Sequence, residues 1–187
     1  MTETELKALL HDTPEIVAIL TIINRLGLAD AWLAAGTIRN LIWNYLSGLP
    51  LFDNQTDVDV VFFDKLISYQ KTKEIEASLQ AAYPTYDWEL KNQAHMHLHN
   101  PNTQPYLSAC DAIARFPERC TAIGIKGSAD GEITLFTPYG LSDIFAFIVR
   151  PTPYFLESPE KLSIYQARVD KKNWQEKWPK VTILQGN

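Results

Sequence analysis

Two aspartates two residues apart, Asp57 and Asp59, stand at the head of the stretch TDVDVVFFD, Thr56 to Asp64. The valines and phenylalanines that follow mark a buried β-strand, because β-branched and aromatic side chains fit a pleated, packed surface. Residues two apart on a strand share a face, so the two carboxylates lie side by side. At that spacing they repel, and each raises the pKa of the other unless a positive charge stands between them. A divalent metal ion would supply that charge. The other reading of the same residues is a solvent-exposed strand end carrying two hydrated carboxylates.

Two further segments hold groups that would work with such a pair. Gly36 precedes a helical pattern that begins at Thr37 and sets Ile38, Leu41, Ile42, Tyr45 and Leu46 on one face, with Gly48 at its end. A helix N-terminus offers free N–H groups and a partial positive charge to phosphate oxygens, and a glycine there lets a phosphate approach the backbone. Arg39 adds a cation in the first turn. Gly36 could equally serve as a sharp turn alone, and Arg39 could simply be exposed. Further along, Trp88-Glu89-Leu90 places a third carboxylate on the polar face of another strand. Glu89 could complete a two-metal site or take a proton from an attacking hydroxyl, or it could be spent on a salt bridge to Lys91. Taken together, Asp57 and Asp59 suit Mg²⁺ or Mn²⁺, which would bridge phosphates and offset the charge that develops during phosphoryl transfer.

The elements that must position these groups are readable from period and punctuation. Asp12 or Thr13 caps a helix with Pro14 in its first turn, ended by Gly27, and AWLAAG is a short strand or turn leading to Gly36. LPLFDNQ is a loop before the aspartate strand, and KLISYQKTKEIEASLQAAYP is a helix stopped at Pro84. From Trp88 to His99 the pattern alternates throughout: Trp88, Leu90, Ala94, Met96 and Leu98 face one way, with Asn92 the lone polar member. Glu89, Lys91, Gln93, His95, His97 and His99 face the other. Alternating histidines can bind zinc, but three on one strand face span about 13 Å, so at most a pair would reach one ion. SACDAIARFP reads as a short helix, CTAIGIKGSADGEITLFTP as a hairpin turning at SADG, and YGLSDIFAFIVRPTP as a helix or a helix and strand. A last helix covers SPEKLSIYQARVDKKNWQEKW, stopped by Pro179, with Trp174 and Trp178 in the core or capping it.

AAGTIRN, TDVDVVFF and DWELKN resemble the motifs of the polymerase-β-like nucleotidyltransferase superfamily: a hydrophobic-Gly-Ser/Gly signature, an Asp-x-Asp strand and a third acid between hydrophobic residues. GTIRNLIWNYLSG, PYGLSDIFAFIVRPTP and KKNWQEKWP extend the likeness to a bacterial nucleotidyltransferase-like branch, over about Trp32 to Pro179. The resemblance implies an α/β (α+β) fold, a mixed β-sheet with packed helices and a helical C-terminal part. It also implies metal at Asp57 and Asp59, Glu89 as third acid, and Gly36-Thr37 as the phosphate-binding turn. Thr37 stands where serine or glycine is usual, and the gap from Gly36 to Asp57 is longer than in most members.

The whole chain sets the outer bounds. Its 187 residues suggest one domain, with the motifs in about residues 30–100 and an accessory hairpin and helices in about 105–180. A net charge of −5 argues against broad, nonspecific nucleic-acid binding, while leaving room for local basic patches. No leader or membrane-spanning run is visible, which points to the cytoplasm, and Cys110 and Cys120 read as reduced thiols. The function expected is Mg²⁺-dependent transfer of a nucleoside monophosphate from an NTP to an acceptor hydroxyl. The rivals are a noncatalytic nucleotide-binding or regulatory module of the same fold, and a hydrolase with a metal at the histidines.

Overall fold

The computed structural model describes residues 1–53, 56–128 and 130–186. Asn54 and Gln55 of the expected LPLFDNQ loop, and Ala129 of the expected hairpin turn, lie outside the described residues. Helix α1 (Glu3–His11) is closed by a reciprocal cap between Thr2 and Glu5. Helix α2 (Pro14–Leu26) starts from Thr13 and ends at Gly27, whose φ of 64° needs the left-handed region that glycine enters freely. As N-cap, Thr13 makes no side-chain cap bond; its hydroxyl donates to Leu9 O instead.

Strand β1 (Trp32–Ala34) runs straight into α3 (Ala35–Leu46), so the helix begins one residue before Gly36. Strand β2 (Val58–Phe62) carries Val58, Val60, Val61 and Phe62 into the core, which is what a central strand covered on both faces requires. Helix α4 (Tyr69–Ala82) is the crossover that returns the chain to β3 (Trp88–Asn92) parallel to β2, since parallel neighbours cannot be joined by a tight turn. After α5 (Gln93–Met96), a 3₁₀ turn (His97–His99) and α6 (Ala109–Ala114), the hairpin of β4 (Gly124–Gly127) and β5 (Ile133–Phe136) completes a mixed sheet of order β3-β2-β1-β4-β5. Helix α7 (Ser142–Phe145) leads to β6 (Ile148–Val149), which pairs in parallel with β7 (Thr182–Ile183) around α8 (Pro159–Lys172) and α9 (Trp174–Lys177). The expected mixed sheet with packed helices and a helical C-terminal part is thus present. Among the described residues no helix is long and apolar enough to cross a membrane.

Two expectations are corrected. The alternation from Trp88 to His99 holds only as far as Asn92. There the lone polar residue of the inward face turns the chain: its amide donates to Asp64 O (2.7 Å) and Ile67 O (2.9 Å), and its carbonyl accepts from Ala94 N–H (3.2 Å) as the N-cap of α5. The histidines therefore share no strand face. His95 bonds Ile67 O at 2.8 Å, and the His97 ring sits edge-on to Tyr106. The last expected helix is likewise broken, at Asn173, whose φ of 47° is a conformation asparagine tolerates better than most residues.

That break turns Trp174 and Trp178 onto Trp43 of α3, with ring centroids 6.3 and 5.1 Å away. Trp178 Nε1 donates to Asn44 Oδ1 (3.0 Å), and Trp43 Nε1 to Ile144 O (2.8 Å). Trp43 is fully buried at this junction of α3, α7 and α9. Trp43→Ala is expected to lower the free energy of unfolding by about 3–5 kcal/mol, read as a drop in urea midpoint at unchanged slope.

Candidate active site

The parallel register of β2 and β3 sets Asp59 beside Glu89. Asp57 lies just before β2, two residues from Asp59 and exposed, so the three carboxylates stand at the same end of the two strands. The N-terminus of α3 abuts them. Gly36 N–H donates to Asp59 Oδ2 (2.9 Å), and a Cβ at Gly36 would sit 2.9 Å from that same oxygen, so glycine is what lets the carboxylate lie against the helix end. Ala35 just before it has φ of 52°, a backbone conformation costly for alanine that keeps this turn tight.

Thr37 is buried and fixes the spacing. Its hydroxyl donates to Asp57 O and accepts from Asp59 N–H, both at 2.8 Å, stitching α3 to the start of β2. The side chain is therefore committed to holding the aspartates. Arg39 is also buried, against the exposed alternative. Its guanidinium lies 4.6 Å from the Trp174 ring and 4.9 Å from that of Trp43, while Nε and Nη2 both donate to Asn40 Oδ1. Glu89 is exposed, with Lys91 Nζ 3.8 Å from its Oε2, so the salt bridge weighed as its alternative exists alongside its place next to Asp59.

These groups border a cavity of about 480 Å³. One wall is Asp57, Asp59 and Glu89; another is the start of α3 with Gly36 and Arg39. The third comes from the C-terminal segment, with Arg168, Lys172, Trp174, Glu176 and Lys177, three cations to one carboxylate. Sequence reading missed that third wall. Its visible signal was the cluster of lysines in KKNWQEKWP, but only the break at Asn173 shows that they turn toward the acids. A second cavity of about 290 Å³ opens on the other side of the carboxylates and shares Ala35, Asp59, Glu89, Thr121 and Arg168 with the first. His99 lines this second space.

Burial raises the Asp59 carboxyl from 3.8 to about 6, reinforced by the charges of Glu89 and Asp57 and opposed by the Gly36 N–H and Arg39. Among the described residues no group of three or more His, Cys, Asp or Glu side chains is drawn together tightly enough to enclose a metal ion. The donor set nevertheless fits one: three hard oxygen ligands border an open cavity, and their mutual repulsion is what a divalent cation relieves.

Residues 21–183 match the family model described as Nucleotidyltransferase. The chain belongs to this nucleotidyltransferase family. An NMR structure described as revealing a CCA-adding enzyme head domain is 49% identical, with a TM-score of 0.93 over 98% of this chain and 96% of that one. At the level of fold alone, the chain is similar to the Bacillus stearothermophilus CCA-adding enzyme solved with CTP (16% identity, TM-score 0.51, 83% of this chain, 38% of that one). It is similarly related to an apo tRNA-processing enzyme (16% identity, TM-score 0.52, 92% and 44%). The nucleotidyltransferase chain spans less than half the length of these two enzymes. No curated protein matches it.

A raised carboxyl pKa means that the folded chain keeps a proton where the unfolded chain has lost it, so this carboxyl contributes stability at low pH that fades as pH rises from about 4 to about 6. Asp59→Asn removes the charge and leaves an oxygen for Gly36 N–H. In metal-free buffer the variant is expected to be more stable than wild type near pH 7, with the advantage shrinking as pH falls from about 6 to about 4. Urea unfolding across that range checks it; a difference constant with pH would contradict the cause assigned to the shift.

Proposed function

We propose that this nucleotidyltransferase-family chain transfers a nucleoside monophosphate from an NTP to an acceptor hydroxyl, with Mg²⁺ or Mn²⁺ as cofactor. The observation that carries the reading is the side-by-side register of Asp59 and Glu89 beneath the N-terminus of α3, with Asp57 beside them. Asp57 and Asp59 would hold the ion, which when bound supplies positive charge to the phosphate oxygens. Thr37 keeps the two aspartates at their spacing through the backbone. The positive end of α3, where Ala35 N–H is bound to Ile123 O and Gly36 N–H to Asp59, and the Arg39 guanidinium would attract the phosphates from beside the acids.

Glu89, exposed and bordering both cavities, would take the proton of the acceptor hydroxyl. The acceptor oxygen forms a bond to the α-phosphorus, the bond from that phosphorus to the bridging oxygen of pyrophosphate breaks, and pyrophosphate leaves with the electron pair. Glu89 then carries the proton; in its alternative role it helps hold a second ion. The family match and the likeness to a CCA-adding enzyme head domain support nucleotidyl transfer, and the CTP of the Bacillus enzyme supports a nucleoside triphosphate as donor. The acceptor hydroxyl is of unassigned class; a tRNA end, a metabolite or a protein side chain would all present the same group.

Calorimetric titration with a nonhydrolysable NTP analogue tests the site. Binding is expected to require Mg²⁺ and to vanish in Asp57→Asn/Asp59→Asn while the fold persists. Binding that survives both changes would favour a nucleotide-binding module without turnover. Where α-labelled NTP reveals transfer, Glu89→Gln is expected to slow it by about 10²–10⁴-fold with NTP affinity retained.

A further inference from the structure

Glu118 is fully buried, yet it is a carboxylate, and every part of it is engaged. Its Oε2 accepts from Thr121 Oγ1 (2.7 Å), and its Oε1 accepts from Arg168 Nε on α8 (2.6 Å). Its backbone is pinned by a bridge to Pro151 and by the Ala122 N–H to its carbonyl. A buried carboxylate this fixed holds its partner in one place, because releasing the pair would leave an uncompensated charge in the interior.

The pair uses only one edge of the guanidinium. Arg168 remains partly exposed, and among the described residues its terminal Nη groups make no hydrogen bond. Arg168 lies where the two cavities adjoin, since it borders both together with Thr121, Asp59 and Glu89. A second fixed cation, Arg39, borders the first cavity with Arg168; burial is the main cause that lowers its pKa and Arg168 adds to it, with Cys120, Glu118 and Asp59 pulling the other way. Arg39 is boxed by tryptophans and Arg168 is tied to Glu118, so neither can swing away from the other. Two like charges held at one cavity, facing an acidic wall, match a ligand with several anionic oxygens that carries a metal on its other side.

We propose that Arg168, aimed by Glu118, is a phosphate-binding residue of the nucleotide site, contacting the phosphate chain at the junction of the two cavities. Glu118 is its positioning residue. The inference rests on the NTP-binding reading above and adds the residues that grip the phosphates from α8. Arginine suits this place because one edge of its planar fork can bond the carboxylate while the other bonds phosphate, which a single ammonium cannot do.

Arg168→Ala alone would strand the buried Glu118 charge, so the test uses Glu118→Gln/Arg168→Gln, which keeps a hydrogen-bonded pair and the net charge, and Arg168→Lys, which keeps the cation. Both are titrated with the nonhydrolysable NTP analogue and Mg²⁺, and their melting temperatures are recorded. The expected result is affinity about ten- to a hundredfold weaker than wild type in both, with melting near that of wild type. If the wild type binds the analogue and both folded variants bind it equally well, Arg168 is a structural ion-pair partner and the proposal fails. If the wild type itself binds no analogue, the NTP-site reading falls, and this proposal with it. Should the double variant not fold, Arg168→Lys decides alone.

Discussion

Everything at the site hangs on the hydroxyl of Thr37. By donating to the Asp57 carbonyl just before β2 and accepting from the Asp59 N–H within it, this hydroxyl satisfies two main-chain groups flanking Val58. A buried main-chain group left unpaired there would cost roughly 1–3 kcal/mol. The bond pair also fixes where α3 starts relative to Asp57 and Asp59, so the helix end and the carboxylates form one rigid unit. The extra methyl of threonine, compared with serine, lies in this buried seam.

The same unit explains why an arrangement of like charges persists. Asp59 is held against the helix end by Gly36 N–H while Glu89 sits alongside it through the strand register. The fold accepts the cost of burying Asp59 beside a like charge, visible in its raised carboxyl, because the hydrophobic register of β2 and β3 leaves no alternative: a slip of one residue would turn Val58, Val60, Trp88 and Leu90 out of the core. Core packing is the stronger force and dictates where the acids must stand.

That hierarchy also marks what could be read from sequence. The Asp-x-Asp strand, the glycine before a helix and the order of most elements were legible because they follow period and turn chemistry over short stretches. The strand that ends at Asn92 was overcalled because alternation continues past it in composition, while the event that ends it is a side chain bonding the chain 25 residues and more upstream. The roles of Thr37 and Arg168 were hidden for the same reason. Each depends on a partner far away in the chain, Asp59 and Glu118, and no local pattern records such a meeting.

The third wall of the cavity shows how a distant segment becomes part of the site. Arg39 is placed in α3 by helical spacing, but three tryptophans keep it there, one of them at the start of α9 and one just past its end. A buried guanidinium needs both charge partners and a polarizable surround. Trp174 and Trp178 can reach it only because Asn173 breaks the C-terminal helix and turns α9 back over α3. The turn that completes this aromatic box is the one that carries Lys177 to the cavity, where it pairs with Asp53 from the segment leading into β2. Stabilising Arg39 and closing the cavity are therefore one structural event, which is why the lysines and arginine of the C-terminal segment border the same space as the three carboxylates.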